Sequence, residues 1–266
     1  MAHISYSELK EWVVCPWKHK LNYIERINQF KGNEHTAFGT ALHTVCENMV
    51  QSRDPNVPLT FDPKELFQEE FLKNLRRIKE EAPEMEFNSE LITGMRSQGE
   101  KLTEHILPGL KKTFGAFELV AVEEKLYEPI DAVNYDFKGF IDLVIRTEDK
   151  KHHVIDWKTC GWGWDTRKKS DKMITYQLTL YKHFWCTKHE IDPLTVDTHF
   201  ALLKRTAKKN VVEIFKVSTG TKKTQNALKL LNKAIYNIKK SNCVKNRLSC
   251  YGRYGACEYY KTKHCT

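Results

Sequence analysis

Two consecutive apolar segments, GFIDLVIR and HHVIDWKT, constrain the fold more than any other part of the sequence. Both are rich in β-branched and aromatic residues, and the short polar stretch between them is typical of the turn of a β-hairpin. With a three-residue loop, Thr147 faces Lys151, and Asp142 then lies directly opposite Asp156. Side chains in such a pair are about 5 Å apart. We therefore expect two carboxylates side by side on one face of a sheet.

Lys158 joins the two aspartates on that face, because alternate residues of a strand point to the same side. Carboxylates at this separation repel each other when both are ionised, and their apolar neighbours make an unpaired charge costly. A divalent cation between them would remove both costs, and oxygen ligands suit Mg²⁺ or Mn²⁺. The alternative is an ion pair of Lys158 with one aspartate on a solvated face. Phe140 and Val154, however, occupy positions where such a face would carry polar residues.

The segments around this hairpin alternate between helical and strand-like patterns. We expect helices in residues 1–115, a mixed sheet with one inserted helix in 116–220, and a basic helix with a cysteine-rich tail in 221–266. The predicted fold is α/β, with a central mixed β-sheet flanked by helices, and residues 1–266 are interpreted as a single domain. The predicted helices lie within 5–30, 37–52, 63–81, 88–114, 172–189 and 222–240, and the predicted strands are 117–130, 135–146, 152–159, 198–205 and 210–217.

The chain carries a formal net charge of +9, from 43 lysines and arginines against 34 aspartates and glutamates. Excess positive charge favours a polyanionic partner, because contacts with phosphates release condensed counterions. A basic but merely solvated surface is the alternative. No apolar run approaches the roughly 18 residues of a membrane span, and the N-terminal sequence has no apolar signal-peptide core. We therefore expect a cytoplasmic protein.

The two strand motifs resemble the core of the PD-(D/E)xK nuclease superfamily, and further motifs resemble its RecB-type branch. The segment from Gly39 to His43 is similar to the G-x-x-x-H motif of that branch. Gln177 and Tyr181 match its Q-x-x-x-Y motif, and residues four apart share one face of a helix. These motifs follow one another in the order typical of the branch. The resemblance therefore implies a restriction-endonuclease-like core.

Two other segments extend the resemblance over almost the whole chain. The segment from Ser5 to Cys15 and Pro16 resembles the N-terminal motif of the branch. THFALLKRTAKKNVVEIFKV resembles the hairpin that follows the Q-x-x-x-Y helix and would place Lys204 or Arg205 near the site.

The resemblance implies a role for each matching residue. The implied metal ligands are His43, Asp142, Asp156 and the backbone carbonyl of Trp157. The implied catalytic residues are Asp142, Asp156, Lys158, Gln177 and Tyr181. Within this set, Gln177 and Tyr181 would orient the site or contact DNA. Glu124, on the strand before Asp142, or its neighbour Glu123, would add a carboxylate.

The distribution of the eight cysteines needs a separate explanation, because five of them lie near the two ends of the sequence. Disulfides are not expected in a reducing cytosol. Some members of the RecB-type branch, among them the AddB nuclease and CRISPR-adaptation exonucleases, hold a 4Fe–4S cluster with one N-terminal and three C-terminal cysteines. The resemblance thus implies a cluster on Cys15, Cys250, Cys257 and Cys265, with Cys243 as a substitute ligand. Zinc also suits four thiolates, and unligated thiols are the remaining alternative.

The expected function is a Mg²⁺- or Mn²⁺-dependent DNA exonuclease that acts on single-stranded or frayed ends. The basic stretches LLKRTAKKN and KLLNKAIYNIKK have aromatic neighbours and are compatible with a single-strand groove, as well as with a solvated surface. The alternatives are a catalytically silent DNA-binding or assembly subunit on the same fold and a structure-specific endonuclease. The resemblance implies DNA as the partner, together with proteins of a recombination, replication or CRISPR-adaptation assembly in a bacterial, archaeal or phage-infected cell.

Overall fold

The computed structural model describes residues 2–27, 30–52, 59–130, 133–252 and 255–266. The chain forms two compact units. The terminal unit consists of Met1–Lys31, Leu126–Gly139 and Gly220–Thr266, and the sheet unit consists of Gly32–Lys125 and Phe140–Thr219.

The elements of both units follow in chain order. The α-helices are α1 Tyr6–Val14, α2 Pro16–His19, α3 Glu34–Gln51, α4 Pro63–Glu81, α5 Ser89–Thr103, α6 Ile106–Phe114, α7 Thr166–Ser170, α8 Lys172–His189 and α9 Thr221–Lys239. The strands are β1 His3–Ser5, β2 Phe117–Pro129, β3 Asp136–Thr147, β4 His152–Cys160, β5 Val196–Lys204, β6 Val212–Val217, β7 Tyr251–Gly252 and β8 Gly255–Ala256. A π-helical turn spans Lys20–Ile24, and 3-10 turns span Pro193–Thr195 and Arg247–Ser249.

The hairpin register predicted from the sequence is confirmed. Strands β3 and β4 pair antiparallel, and Leu143 lies opposite Ile155. The turn is closed by a 3.0 Å hydrogen bond that the Thr147 amide donates to the Lys151 carbonyl. Lys150 adopts a φ of 67°, the left-handed conformation that ends such a three-residue loop.

The central sheet is mixed, as expected. β3 pairs antiparallel with β4, β4 pairs parallel with β5, and β5 pairs antiparallel with β6, while β2 lies on the other side of β3. In the sheet unit, α3 and α8 both pack on β4, and α8 also packs on β5. The α/β fold with a mixed sheet flanked by helices is therefore confirmed.

The predicted single helix at 88–114 is wrong, because the structure divides it into α5 and α6 at Glu104 and His105. Pro108 explains the break. Proline has no amide hydrogen and clashes with the preceding turn, so it is tolerated only in the first turn of a helix. The second helix begins at Ile106, and Pro108 therefore falls in that first turn.

Close packing in the helical layer of the sheet unit depends on one glycine. The Phe67 ring of α4 lies so close to Gly99 of α5 that a Cβ atom there would be 2.0 Å from it. Phe67 also contacts Phe38 of α3 and Phe71 in the same apolar cluster. Any side chain at position 99 would therefore displace α5 from α4.

In the terminal unit, Ser5 caps α1, and its hydroxyl accepts a 3.1 Å hydrogen bond from the Glu8 amide. The Glu8 carboxylate does not complete a capping box with Ser5, because it binds Nε2 of buried His19 at 2.8 Å. β1 pairs in parallel with the first residues of β3. Across the part of the chain that the structure describes, no helix combines the length and apolar character that a membrane span requires.

Candidate active site

Asp142 and Trp157 connect the two strands at the centre of the site. The Asp142 carboxylate accepts a 2.7 Å hydrogen bond from the Trp157 backbone amide. Burial raises the pKa of Asp142 well above its ordinary value, and the neighbouring Asp156 raises it further, against the opposing effects of Lys158 and the Trp157 amide. Additional positive charge beside such a carboxyl group favours its ionised form.

Asp156 lies on the same face, with a side chain that is only 3% exposed. Its Oδ2 atom forms an ion pair with Nζ of Lys158 at 2.7 Å. Burial alone would lower the pKa of Lys158. The Asp156 and Asp142 carboxylates outweigh that effect and raise the pKa, so Lys158 is protonated at neutral pH.

His43 approaches this pair from α3. Its Nδ1 atom is 3.6 Å from Oδ2 of Asp142. Burial lowers the pKa of His43, whereas the Asp156 carboxylate and the Trp157 carbonyl favour its protonated form. Gly39, one turn earlier on α3, faces Thr159 of β4, and a Cβ atom there would lie at an ordinary contact distance of 3.4 Å from the Thr159 hydroxyl. The imidazole, two carboxylates and Trp157 carbonyl proposed from the sequence thus lie together.

Gln177 and Tyr181 extend the site from α8. The Gln177 amide donates a 2.7 Å hydrogen bond to Oδ1 of Asp156 and a 3.3 Å hydrogen bond to the Tyr181 hydroxyl. Burial raises the pKa of Tyr181, and Asp156 adds to the increase, so the phenol is neutral at physiological pH. The two residues therefore share one helical face and lie beside the carboxylates.

Glu124 faces away from this site toward the end of α8. Its carboxylate contacts Trp185 Nε1 at 2.7 Å, Lys188 Nζ at 2.8 Å and His189 Nε2 at 2.5 Å. Burial opposes ionisation of this carboxyl, but these contacts outweigh it and lower its pKa. Glu124 therefore joins β2 to the end of α8.

Glu123, the other residue left open by the sequence, lies on the site side. It has a φ of 49°, a left-handed conformation that re-aims a strand side chain. Its charge raises the pKa of Asp142, and it hydrogen-bonds to Glu47. Burial and Glu123 together raise the pKa of Glu47 to about 8. Glu47 is not among the residues predicted from the sequence, although its position four residues after His43 on α3 indicates a shared helical face.

The donor set fits a divalent cation on two grounds. Oxygen and imidazole donors suit such an ion. Burial and the neighbouring Asp156 raise the pKa of Asp142 despite Lys158, so this pair of carboxylates favours additional positive charge. His43, Asp142 and Asp156 do not, however, bring their ligand atoms within 4.8 Å of one another. Trp157, Lys158 and Gln177 already hold the carboxylates, so both would have to turn toward an ion.

A loop with an exposed aromatic residue follows β4 in the same unit. Trp162 is 80% exposed, which is unusual for tryptophan. The loop backbone is fixed by Thr206, whose amide and hydroxyl donate hydrogen bonds of 3.1 and 3.0 Å to the Gly161 carbonyl. Lys168 of α7 lies 4.6 Å from the ring of Trp164. An exposed aromatic ring and basic residues therefore follow one another in the segment after β4.

The hairpin residues expected near the site make other contacts. Lys204 is buried and lies 3.0 Å from Glu213, which also pairs with Lys169. Arg205 donates a 2.8 Å hydrogen bond to the Gln98 side chain. Both residues therefore tie β5 to its neighbours within the sheet unit.

The four cysteines proposed as cluster ligands line one cavity of about 350 Å³ in the terminal unit. They are Cys15, Cys250, Cys257 and Cys265, and each is a free thiol. The Asn246 amide donates a 3.4 Å hydrogen bond to Sγ of Cys15. Cys243 does not line this cavity.

Comparison with known proteins gives one family match. The sequence model of the PD-(D/E)XK nuclease superfamily matches residues 3–262. No curated protein sequence matches the chain.

A solved structure of similar fold comes from Eubacterium rectale, for a protein assigned as an exonuclease. It superposes with a TM-score of 0.57 at 11% identity, covering 92% of this chain and 84% of that chain. A second structure, SSO0001, gives a TM-score of only 0.34 at 17% identity over 74% of this chain and 84% of that chain, too low to establish a shared fold.

Proposed function

The chain belongs to the PD-(D/E)XK nuclease superfamily, and from this membership we propose that it is a metal-dependent DNA exonuclease of the RecB-type branch. Nucleases of this superfamily use divalent metals and cleave phosphodiesters, and the nuclease fold implies DNA as the substrate. The proposed metal-dependent cleavage depends above all on one observation, the placement of Lys158 at 2.7 Å from Asp156 beside Asp142. The hydrogen bond from Gln177 to Asp156 supports the RecB-type branch. We assign Mg²⁺ or Mn²⁺ as the ion.

The ion would be held by the side chains of His43, Asp142 and Asp156 and by the backbone carbonyl of Trp157. When bound, the ion would polarise the phosphate, orient water and stabilise the leaving oxygen. Its positive charge would also counter the burial that raises the pKa of Asp142 in the metal-free chain. Glu123 is the further carboxylate that we place beside this set.

Lys158 acts through its positive charge and not as a general base. Because its pKa is raised, the ammonium group is protonated at neutral pH and donates hydrogen bonds to the phosphate oxygens that gain charge during cleavage. Gln177 fixes the orientation of Asp156 through its 2.7 Å hydrogen bond. Tyr181, neutral at this pH, would add a hydroxyl group beside Gln177.

The loop after β4 supports a single-stranded or frayed substrate. Bases of a single strand stack on aromatic side chains, whereas paired bases in a duplex are already stacked on each other. Trp162 offers such a surface four residues after Lys158, and α7 adds Arg167 and Lys168 for the phosphates. We therefore propose that a strand end reaches the site across Trp162.

A 4Fe–4S cluster in the terminal unit is the second part of the proposal. In a tetrahedral zinc–thiolate site, sulphur atoms lie roughly 3.8 Å apart. Among the described residues, the only set of three or more donor atoms within 4.8 Å of one another lies elsewhere, in the sheet unit. Wider spacing around a cavity of about 350 Å³ supports a larger group than one ion. The cluster would join the N-terminal and C-terminal parts of this unit and stabilise it.

Cleavage of end-labelled linear DNA, compared with closed circular single-stranded DNA, tests the activity. We expect Mn²⁺- or Mg²⁺-dependent degradation of linear single strands, no cleavage of circles, and loss of cleavage with retained DNA binding in Asp156→Asn. Glu148→Gln, in the exposed β3–β4 turn, is the matched control. Cleavage of circles would indicate an endonuclease, and binding without cleavage by the native chain would indicate a silent subunit.

We place the protein in the cytoplasm, in a recombination, replication or CRISPR-adaptation assembly.

A further inference from the structure

We propose that His153, Asp197 and His199 form a second metal site, for a zinc-type divalent ion, separate from the candidate active site. One ligand atom from each of these residues lies within 4.8 Å of the others. Both histidines are buried, and Asp197 is half-buried. The site goes beyond the proposed nuclease function and does not depend on it.

The sheet brings the three residues together. β4 and β5 pair in parallel, with His153 beside Asp197 and Ile155 beside His199. Positions 197 and 199 share one face of β5, and position 153 lies on the same face of the sheet. Asp156 is an odd number of residues from His153 and therefore points to the opposite face. The two sites would thus hold separate ions.

The distance between the imidazoles suits one shared ion. Nδ1 of His153 is 3.1 Å from Nε2 of His199. Two nitrogens bound to a tetrahedral zinc ion at 2.0–2.1 Å lie roughly 3.3 Å apart. The alternative, a hydrogen bond between the two imidazoles, has nearly the same length, and only an experiment with the ion separates the two states.

Contacts around His153 determine which of its nitrogens carries the hydrogen and which has the lone pair that an ion would bind. The Thr147 hydroxyl donates to Asp149 at 2.5 Å and therefore accepts from Nε2 of His153, which is 3.0 Å away. The Nε2 atom thus carries the hydrogen, and the Nδ1 lone pair points toward His199. A carboxylate that orients a histidine through a hydrogen bond is typical of metal sites, and here the threonine relays it.

The surroundings bury both imidazoles and favour their neutral forms. Phe114 covers them, with ring centroids 4.9 Å from His153 and 5.1 Å from His199. Burial lowers both pKa values, and the neighbouring His153 adds to the effect on His199, whose pKa is about 4. Lys216 holds Oδ1 of Asp197 at 2.7 Å and is itself mostly exposed, so it can move aside. Two imidazoles and one carboxylate, with a fourth position for water, make a zinc-type donor set.

Zinc binding to the full chain tests this site without any measurement of cleavage. After removal of metals by chelation, Zn²⁺ is titrated into the native protein, His199→Gln and His152→Gln, with zinc content and melting temperature as readouts. His152 is the matched control because it precedes His153 on β4 and contacts Trp185. We expect His199→Gln to bind one zinc ion fewer per chain, or to bind it roughly 100-fold more weakly, while His152→Gln behaves like the native protein.

Two further measurements keep the test decisive if His199→Gln does not fold. In Asp197→Asn both imidazoles are intact, and we expect a roughly 10-fold loss of zinc affinity at this site. Nitrogen-15 NMR of the imidazoles should show Nδ1 of His153 shifting when Zn²⁺ is added. An unchanged zinc count and affinity in folded His199→Gln and Asp197→Asn, or an unshifted His153 Nδ1, would overturn the proposal.

Discussion

The side-chain amide of Gln177 donates a 2.7 Å hydrogen bond to Oδ1 of Asp156, which joins α8 to the carboxylate of β4. We predict that Gln177→Ala lowers turnover and metal affinity by roughly 10- to 100-fold, because Asp156 loses the group that orients it. Gln225→Ala, on an exposed part of α9, is the control. Metal titration with kcat and KM on linear single-stranded DNA measures the effect. A wild-type kcat at saturating Mn²⁺ would exclude this positioning role.

Lys158 is predicted to act on the reacting phosphate and not on metal binding. Lys158→Gln should lower kcat by roughly 100- to 1,000-fold, the cost of removing one charge-stabilising donor. It should leave Mn²⁺ affinity unchanged or tighter, because Asp156 is freed from its ion pair. Mn²⁺-induced shifts in melting temperature and single-turnover cleavage measure the two effects, with exposed Lys101→Gln as control. Weakened Mn²⁺ binding with normal turnover would contradict the assignment.

Glu47 should make the stability of the metal-free protein depend on pH. Its pKa is raised to about 8 in the folded chain, while the unfolded chain has a value near 4.3. Between these values the folded state binds more protons, so the free energy of unfolding falls as pH rises from about 4.3 to 8. Glu47→Gln removes this pH dependence of the free energy of unfolding. Its advantage in melting temperature over the native protein should grow from pH 5 to pH 8 and then level off. A pH-independent difference would refute the predicted titration.

Trp162 is predicted to select single strands. Trp162→Ala should weaken binding of a single-stranded oligonucleotide by roughly 5- to 150-fold, the loss of one stacked base, with little change for a blunt duplex. Trp162→Phe should retain most of the affinity. Leu194→Ala removes another highly exposed apolar side chain of the sheet unit and is the control. Equal losses for single strands and duplexes would argue against base stacking.

Cys250→Ser should remove the cluster from anaerobically purified protein. We expect loss of the brown colour, iron and sulphide, together with lower thermal stability, whereas Cys243→Ser should keep all three because Cys243 lies outside the cavity lining. Visible absorption and elemental analysis measure the outcome. A colourless native protein with one zinc ion bound by these cysteines would contradict the assignment of a cluster.

The hairpin at the centre of the site could be predicted because its information is local. Loop length and the alternation of side chains fixed the position of Asp142 opposite Asp156, and the observed register agrees. The choice between Glu123 and Glu124 could not be predicted, because it depends on a left-handed residue in the middle of β2. No glycine or asparagine at that position signals the change of direction.

The cluster of His153, Asp197 and His199 could not be predicted either. The two histidines are 46 residues apart and meet only because β4 and β5 pair in parallel, with α7 and α8 between them. The pattern D-x-H on β5 indicates a shared strand face, but not which strand lies beside it. Long-range strand order is a property of the whole sheet, so a local pattern does not contain it.

The terminal unit is assembled from three segments that are distant in the chain, which affects the order in which its parts are synthesised on the ribosome. Its segments are separated in the chain by Gly32–Lys125 and Phe140–Thr219, which form the sheet unit. At about 5–20 residues per second, roughly 10 to 40 s pass between Lys31 and Gly220 leaving the peptidyl-transferase centre. The sheet unit is therefore fully synthesised while Cys15 still lacks its three C-terminal partners. Loading of the proposed cluster would therefore be a late event, and a nascent chain would display its nuclease residues first.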